Sequence, residues 1–134
     1  MSLSRINPSE IYYSQDSIKE KFFDGQTIYS SLSECREKPY VINMIPTMRV
    51  CLKDGKWYTL DNRRLWVFKR LEAEGYISDV EVMIVSSSEL TASKFTTNNG
   101  GTSVIIRQPV NDSDEDDDFG YYNDTDSDGD LWDI

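Results

Sequence analysis

From Met48 to Lys53 apolar and polar residues alternate, Asp54-Gly55 has the chemistry of a two-residue turn, and Lys56-Trp-Tyr-Thr-Leu60 resumes the alternation. A period of two marks a strand with one buried face, and Asp-Gly suits a type I′ turn, so residues 48–60 predict a β-hairpin. The period then becomes helical. Leu65, Phe68 and Leu71 share one face between Asp61, a cap residue, and Gly75, a stop signal, which predicts a helix from residue 62 to about residue 74. Ile28, Leu32 and Cys35 form a second helical stripe, opened by Thr27 and closed before Pro39. A shorter helix is expected through Lys21, capped by Ser14 or Asp16, with Ile18 and Phe22 on its apolar face and a turn at Asp24-Gly25. Residues 6–13 read as one extended segment, 79–85 as a strand and 103–107 as a final strand. Residues 96–103 are rich in turn chemistry: Asn-Gly favours a hairpin turn between strands, and a backbone cradle for an anion is the second reading. Interleaved strands and helices predict a small α+β (α/β) body, a small mixed sheet with helices.

Charge divides the chain in two. Residues 1–110 hold 14 basic and 13 acidic residues, a net of +1, whereas 111–134 hold 11 acidic residues and no basic one. The expected organisation is a domain over 1–110 and a disordered acidic tail over 111–134, since the tail has too few aliphatic residues to offset its ordering entropy. Histidine is absent, which excludes the Ser-His-Asp and Cys-His arrangements and every imidazole metal site within this chain. Cys35 and Cys51 are too few for a four-thiolate zinc site or a disulfide scaffold. There is neither an apolar signal-peptide core after Met1 nor a run of roughly 18 apolar residues, so an intracellular protein, cytoplasmic or nuclear, with no membrane association is expected.

The chemistry concentrates where the second predicted strand meets its helix. A helix start presents unpaired N–H groups and the positive end of a dipole, and here Arg63 and Arg64 add two guanidinium forks to the first turn. Asn62, Arg63 and Arg64 are therefore candidate phosphate-binding residues, a combination suited to nucleotide or nucleic-acid phosphates. A second account needs no ligand: Asp61 caps the helix and neutralises one arginine, and the other pairs with a nearby carboxylate. Lys69 and Arg70 read as a solvated face, with Arg70 and Glu74 spaced to pair.

The run Asp54-Gly-Lys-Trp-Tyr-Thr-Leu-Asp-Asn-Arg-Arg-Leu-Trp-Val-Phe-Lys-Arg-Leu71 resembles the hallmark of the ParB/sulfiredoxin superfamily. In that family a strand runs into Glu-Arg-Arg-x-x-Ala (ParB proteins) or Gly-Cys-His-Arg (sulfiredoxins). The turn grips the phosphates of CTP in the first branch and of ATP in the second. The resemblance spans roughly 80 residues, from Ile6 to Val85, and implies that Asp61, Asn62, Arg63 and Arg64 occupy the phosphate-gripping turn. It also implies a nucleoside triphosphate as ligand, with Asp61 capping the helix or positioning Mg2+.

Departures from the family narrow the chemistry. Asp61 stands at the ParB glycine, where a carboxylate repels a triphosphate unless a metal ion intervenes. Asn62 stands at the sulfiredoxin cysteine, so thiol chemistry is not carried over, and Cys51 in the preceding strand reads as a buried, inert thiol. No helix-turn-helix region of the chromosome-partition kind follows Val85. If there is turnover, it is expected to be Mg-dependent nucleotide hydrolysis, phosphoryl transfer or nuclease activity, with Asp61, Glu10 and Asp24 as candidate catalytic carboxylates.

The tail offers two further readings. Asp124, Asp126 and Asp128, followed by Gly129, match the first half of a calcium loop, but the bidentate Glu would fall one position past Ile134, so a tight calcium site is not expected. Phe119, Tyr121, Tyr122 and Trp132 interrupt the carboxylates in the manner of an interaction segment. A basic protein partner fits that pattern, and a non-enzymatic protein-interaction module acting through the acidic aromatic tail is the alternative to nucleotide binding.

Overall fold

The computed structural model describes residues 2–22 and 25–107. The predicted acidic tail and its calcium-loop aspartates, and Asp24, lie outside the described residues.

Among the described residues, seven strands and two α-helices form a small α+β domain. The strands are β1 (Ser2–Ile6), β2 (Ile11–Tyr12), β3 (Ser17–Lys19), β4 (Met48–Lys53), β5 (Lys56–Thr59), β6 (Val80–Ile84) and β7 (Ile105–Arg107), and the helices are α1 (Ile28–Glu37) and α2 (Asn62–Ala73). Five strands make a mixed sheet in the order β1-β6-β4-β5-β2, and β3 and β7 make a separate parallel pair.

The hairpin forms as its pattern predicts. Asp54 and Gly55 both have positive φ, 53° and 80°, the requirement of a type I′ turn, and Lys53 faces Lys56 across it. Register assigns the faces: Val50 opposes Thr59 on one, Cys51 opposes Tyr58 on the other. The first face, with Met48, Val50 and Val82, packs with Leu65, Val67 and Leu71 of α2 and Ile28, Leu32 and Cys35 of α1 in the main core. The second face carries a smaller cluster of Cys51, Tyr58, Val85 and Leu90.

The predicted start of α1 and the predicted stop of α2 both have physical partners. Thr27 Oγ1 accepts from the Ser30 amide at 3.0 Å and opens α1. After α2, Gly75 takes φ +86°, its N–H donates to the Glu72 carbonyl, and Tyr76 N–H donates to that of Leu71, the double bond of a Schellman stop.

The N-terminal third differs from its expectation. The extended segment over 6–13 is two strands separated by a 3-10 turn at Pro8–Glu10, because Pro8 sits at the first position of that turn and lacks the N–H a continuous ladder needs. The helix expected through Lys21 is instead β3. Its apolar residues Ile18 and Phe22 are buried as expected, but no local cap forms: the Ser14 amide donates to Asn62, and the backbone partner comes from far along the chain, with Ile105 N–H on the Asp16 carbonyl. Residues 96–103 are not a hairpin turn, since β7 runs parallel to β3 rather than back along a neighbour. They fold against β2 through Gly101, whose carbonyl accepts from Tyr13 N–H, and a Cβ at Gly101 would collide with the Tyr13 carbonyl.

The polar face expected on α2 is also engaged. Lys69 Nζ donates to the Pro8 carbonyl at 2.9 Å, and the Arg70 guanidinium lies over the Trp66 ring at 4.7 Å. Glu74 pairs with Arg36 of α1 rather than with Arg70, at 2.5 and 2.8 Å, tying the C-terminal ends of the two helices together.

Candidate functional site: the strand-to-helix turn

Strand β5 ends at Thr59 and α2 begins three residues later at Asn62, so Asp61 occupies the position just before the helix. Asp61 does not cap it. Its side chain makes no capping hydrogen bond and turns instead toward β4. Oδ2 accepts from the Arg49 amide at 2.7 Å and from Arg49 Nε at 3.1 Å, and Oδ1 accepts from Arg49 Nη2 at 2.5 Å. Arg64 Nη1 approaches Oδ2 at 3.3 Å. Both carboxylate oxygens thus serve a bidentate guanidinium, and one also holds a main-chain N–H.

The turn is closed by two further bonds. Asp61 N–H donates to Thr59 Oγ1 at 2.8 Å, and that hydroxyl donates to the Arg49 carbonyl at 3.2 Å, so strand, turn and hairpin partner form one network. Asp61 is 0% exposed, as is Arg64, which also donates from Nη1 to the Thr47 carbonyl at 3.1 Å. Burying a guanidinium is costly unless its charge is compensated, and Asp61 supplies that compensation. The same carboxylate answers why Arg64 is tolerated at the positive end of a helix.

Asn62 and Arg63 face a different neighbour. Asn62 Oδ1 accepts from the Ser14 amide at 2.9 Å while its Nδ2 donates to Ser14 Oγ at 3.0 Å, pinning the chain after β2 to the helix start. Arg63 Nη1 donates to the Lys21 carbonyl at 2.5 Å, and its guanidinium stacks over Phe22 at 5.3 Å. At 4% exposure Arg63 is nearly as deep as its neighbours. All four residues singled out in the sequence therefore come together, and all four side chains point inward.

The remaining candidates do not join them. Glu10 is exposed in the 3-10 turn before β2 and shares no hydrogen bond or ion pair with Asp61. Among the described residues no group of three His, Cys, Asp or Glu side chains is arranged to hold a metal ion. Cys51 is buried, as expected of an inert thiol, and burial raises its pKa; Cys35 is pushed up to about 11, first by burial and then by Glu34.

Sequence reading missed Arg49, Thr59 and Ser14. The signal for Arg49 was present in the alternation of β4, which sets it on the face opposite Val50, beside the end of β5 where Asp61 must lie. Ser14, expected to cap a local helix, carried no signal of its role at α2, because its partner there is 48 residues away. A cleft of about 190 Å3 opens elsewhere, between Ile42, Ile45, Phe68 and Ile77, with Arg5 and Asp79 paired at 2.6 Å among its lining residues. None of Asp61, Asn62, Arg63 and Arg64 lines it. No helix among the described residues is long and apolar enough to cross a membrane. Compared with known proteins, the chain matches no family model, no curated protein and no solved structure.

Proposed function

We propose that the chain is a non-enzymatic binding module: a body of ParB/sulfiredoxin type whose strand-to-helix turn is committed to holding the fold, with residues 111–134 engaging a basic protein partner. The observation that supports this reading is the engagement of Asp61. A general base must reach a substrate proton, and a metal-positioning carboxylate must reach the ion. Asp61 does neither while both its oxygens are occupied by Arg49 and Arg64 at 0% exposure. The interaction surface is then sought in the segment with 11 carboxylates and four aromatic residues.

Two measurements on the full chain test it. ATP, CTP, GTP and ADP, each with and without Mg2+, leave the melting temperature unchanged, and a lysine-rich peptide binds in fluorescence anisotropy with an affinity that falls steeply between 0.1 M and 1 M salt. A nucleotide that stabilises the fold, or a peptide that fails to bind, overturns the reading.

One observation favours nucleotide or nucleic-acid binding as the second reading: Arg49 and Arg64 converge on a single helix start that also carries Arg63. Under that reading Asn62, Arg63 and Arg64 rotate outward to hold phosphates, with Mg2+ beside Asp61 supporting any hydrolysis, phosphoryl transfer or nuclease reaction. A nucleotide at a hundredfold excess over its Kd then stabilises the protein by about 2.7 kcal/mol, and Arg63→Ala with Arg64→Ala abolishes the effect.

A further inference from the structure

The second face of the sheet carries a row of rings and ammonium groups that the turn does not use. Lys56 Nζ lies 5.2 Å from the centroid of Tyr12, Tyr12 and Tyr58 are 5.8 Å apart, Tyr58 meets Phe95 edge-on at 5.0 Å, and Lys53 Nζ stands 5.1 Å over Phe95. Register explains the row. Lys53 is directly opposite Lys56, Cys51 is opposite Tyr58, and Tyr12 lies beside Tyr58, so these side chains share one face. Lys94 is adjacent to Phe95 in the segment that covers the face.

Like charges directly opposite one another in a hairpin are destabilising. Among the described residues neither Lys53 nor Lys56 forms an ion pair, and each ammonium rests on a ring instead. An anionic occupant would relieve the repulsion, and one with aromatic residues between its carboxylates would match the row.

The chain holds such an occupant. Residues 111–134 combine 11 carboxylates with Phe119, Tyr121, Tyr122 and Trp132 and carry no basic residue. They follow β7, and the chain leading into β7 is hydrogen bonded to residues 13 and 14, next to Tyr12. Extended, 24 residues reach roughly 80 Å, whereas a body of this size has a radius of gyration of about 13 Å, so the whole face is within range. Tethering also places the carboxylates at an effective concentration on the order of millimolar.

We propose that residues 111–134 dock on this face of their own chain, carboxylates on Lys53, Lys56 and Lys94 and rings against Tyr12 and Phe95. Given the proposed function, on which this consequence rests, a basic partner must displace the segment from the lysines before it binds.

Zero-length carbodiimide coupling of the full chain, mixed from 14N and 15N preparations and mapped by mass spectrometry, tests the docking. Expected are same-label cross-links from carboxylates of residues 112–133 to Lys53, Lys56 or Lys94, with a yield falling about tenfold as the Debye length shrinks from about 10 Å to about 3 Å between 0.1 M and 1 M salt. Lys53→Glu with Lys56→Glu lowers the yield of the links that remain possible at Lys94 and tightens lysine-rich peptide binding about threefold to tenfold, as release of an intramolecular competitor requires. Links confined to mixed-label pairs, links only at Lys19 or Lys21, or no links at all overturn the docking. So does single-stranded DNA that binds the wild-type face in their absence, which would assign the lysines to nucleic acid. If same-label links form and no basic peptide binds, the docking stands and the partner reading falls. If the peptide binds equally well to wild type and to the lysine variant, without links, the reverse holds.

Discussion

The β4–β5 hairpin carries cations at both ends, and the two ends treat them in opposite ways. At the end that runs into α2, Arg49 and Arg64 close on the buried carboxylate of Asp61. At the turn end, Lys53 and Lys56 stand opposite each other with aromatic rings beneath them and no carboxylate partner among the described residues. The guanidinium is planar, weakly hydrated and forked, which suits a bidentate buried pair; the ammonium is compact and strongly hydrated, which suits a surface. A cluster of positive charge in a sequence is therefore not one kind of feature. Where a carboxylate lies within reach of the backbone turn, the cations become cohesion, and where none does they stay available to a ligand.

The contrast breaks most severely at Asp61. Asp61→Asn leaves two guanidinium groups facing a neutral amide in a buried site and is expected to cost about 3–5 kcal/mol, read as a lower urea midpoint at unchanged slope. A loss under 1 kcal/mol would mean that the network contributes little and would return the arginines to the pool of ligand-binding candidates. Asn62→Ala removes the two bonds to Ser14 and leaves a buried main-chain N–H without its acceptor, for about 1–3 kcal/mol in the same experiment.

The turn end should behave otherwise. Lys53→Glu with Lys56→Glu is expected to change stability by no more than about 0.5 kcal/mol, because neither side chain is in the core, while it alters what the face binds. A large destabilisation would show that the lysines are as structural as the arginines. The smallest effect belongs to the surface pair Arg36–Glu74. Its hydrogen bond to Arg36 holds the Glu74 carboxyl below its ordinary range, so its contribution is present above the unfolded pKa of about 4.5 and is lost as pH falls through the folded value. An acid titration of stability should show a slightly shallower low-pH loss in Arg36→Ala than in wild type.

How far the fold could be read from the chain depends on where each element finds its partners. The hairpin, α1 and α2 contain their own signals: alternation, an Asp-Gly turn, a threonine cap and a glycine stop all act within a few residues. The stretch from Ser14 to Phe22 does not. Its apolar spacing fits a helix, and it becomes a strand because Ile105–Arg107 supplies the ladder from over 80 positions away. The same division runs through the candidate site. That Asp61, Asn62, Arg63 and Arg64 would cluster at a helix start was legible, since they are consecutive and follow a strand. Whether they face outward was not.

Composition and local pattern were enough to establish the absence of imidazole chemistry, the split between a near-neutral body and an acidic C-terminal segment, and the hairpin that delivers charge to a helix start. Those properties depend on residue type and on spacings of a few positions, where sterics and capping act alone. The inward turn of Asp61, Asn62, Arg63 and Arg64 required Arg49, Ser14, Lys21 and Thr47 to arrive from other parts of the chain. Burial is a collective property of packed elements. A side chain that could bind an external anion or an internal carboxylate takes whichever the assembled fold places against it.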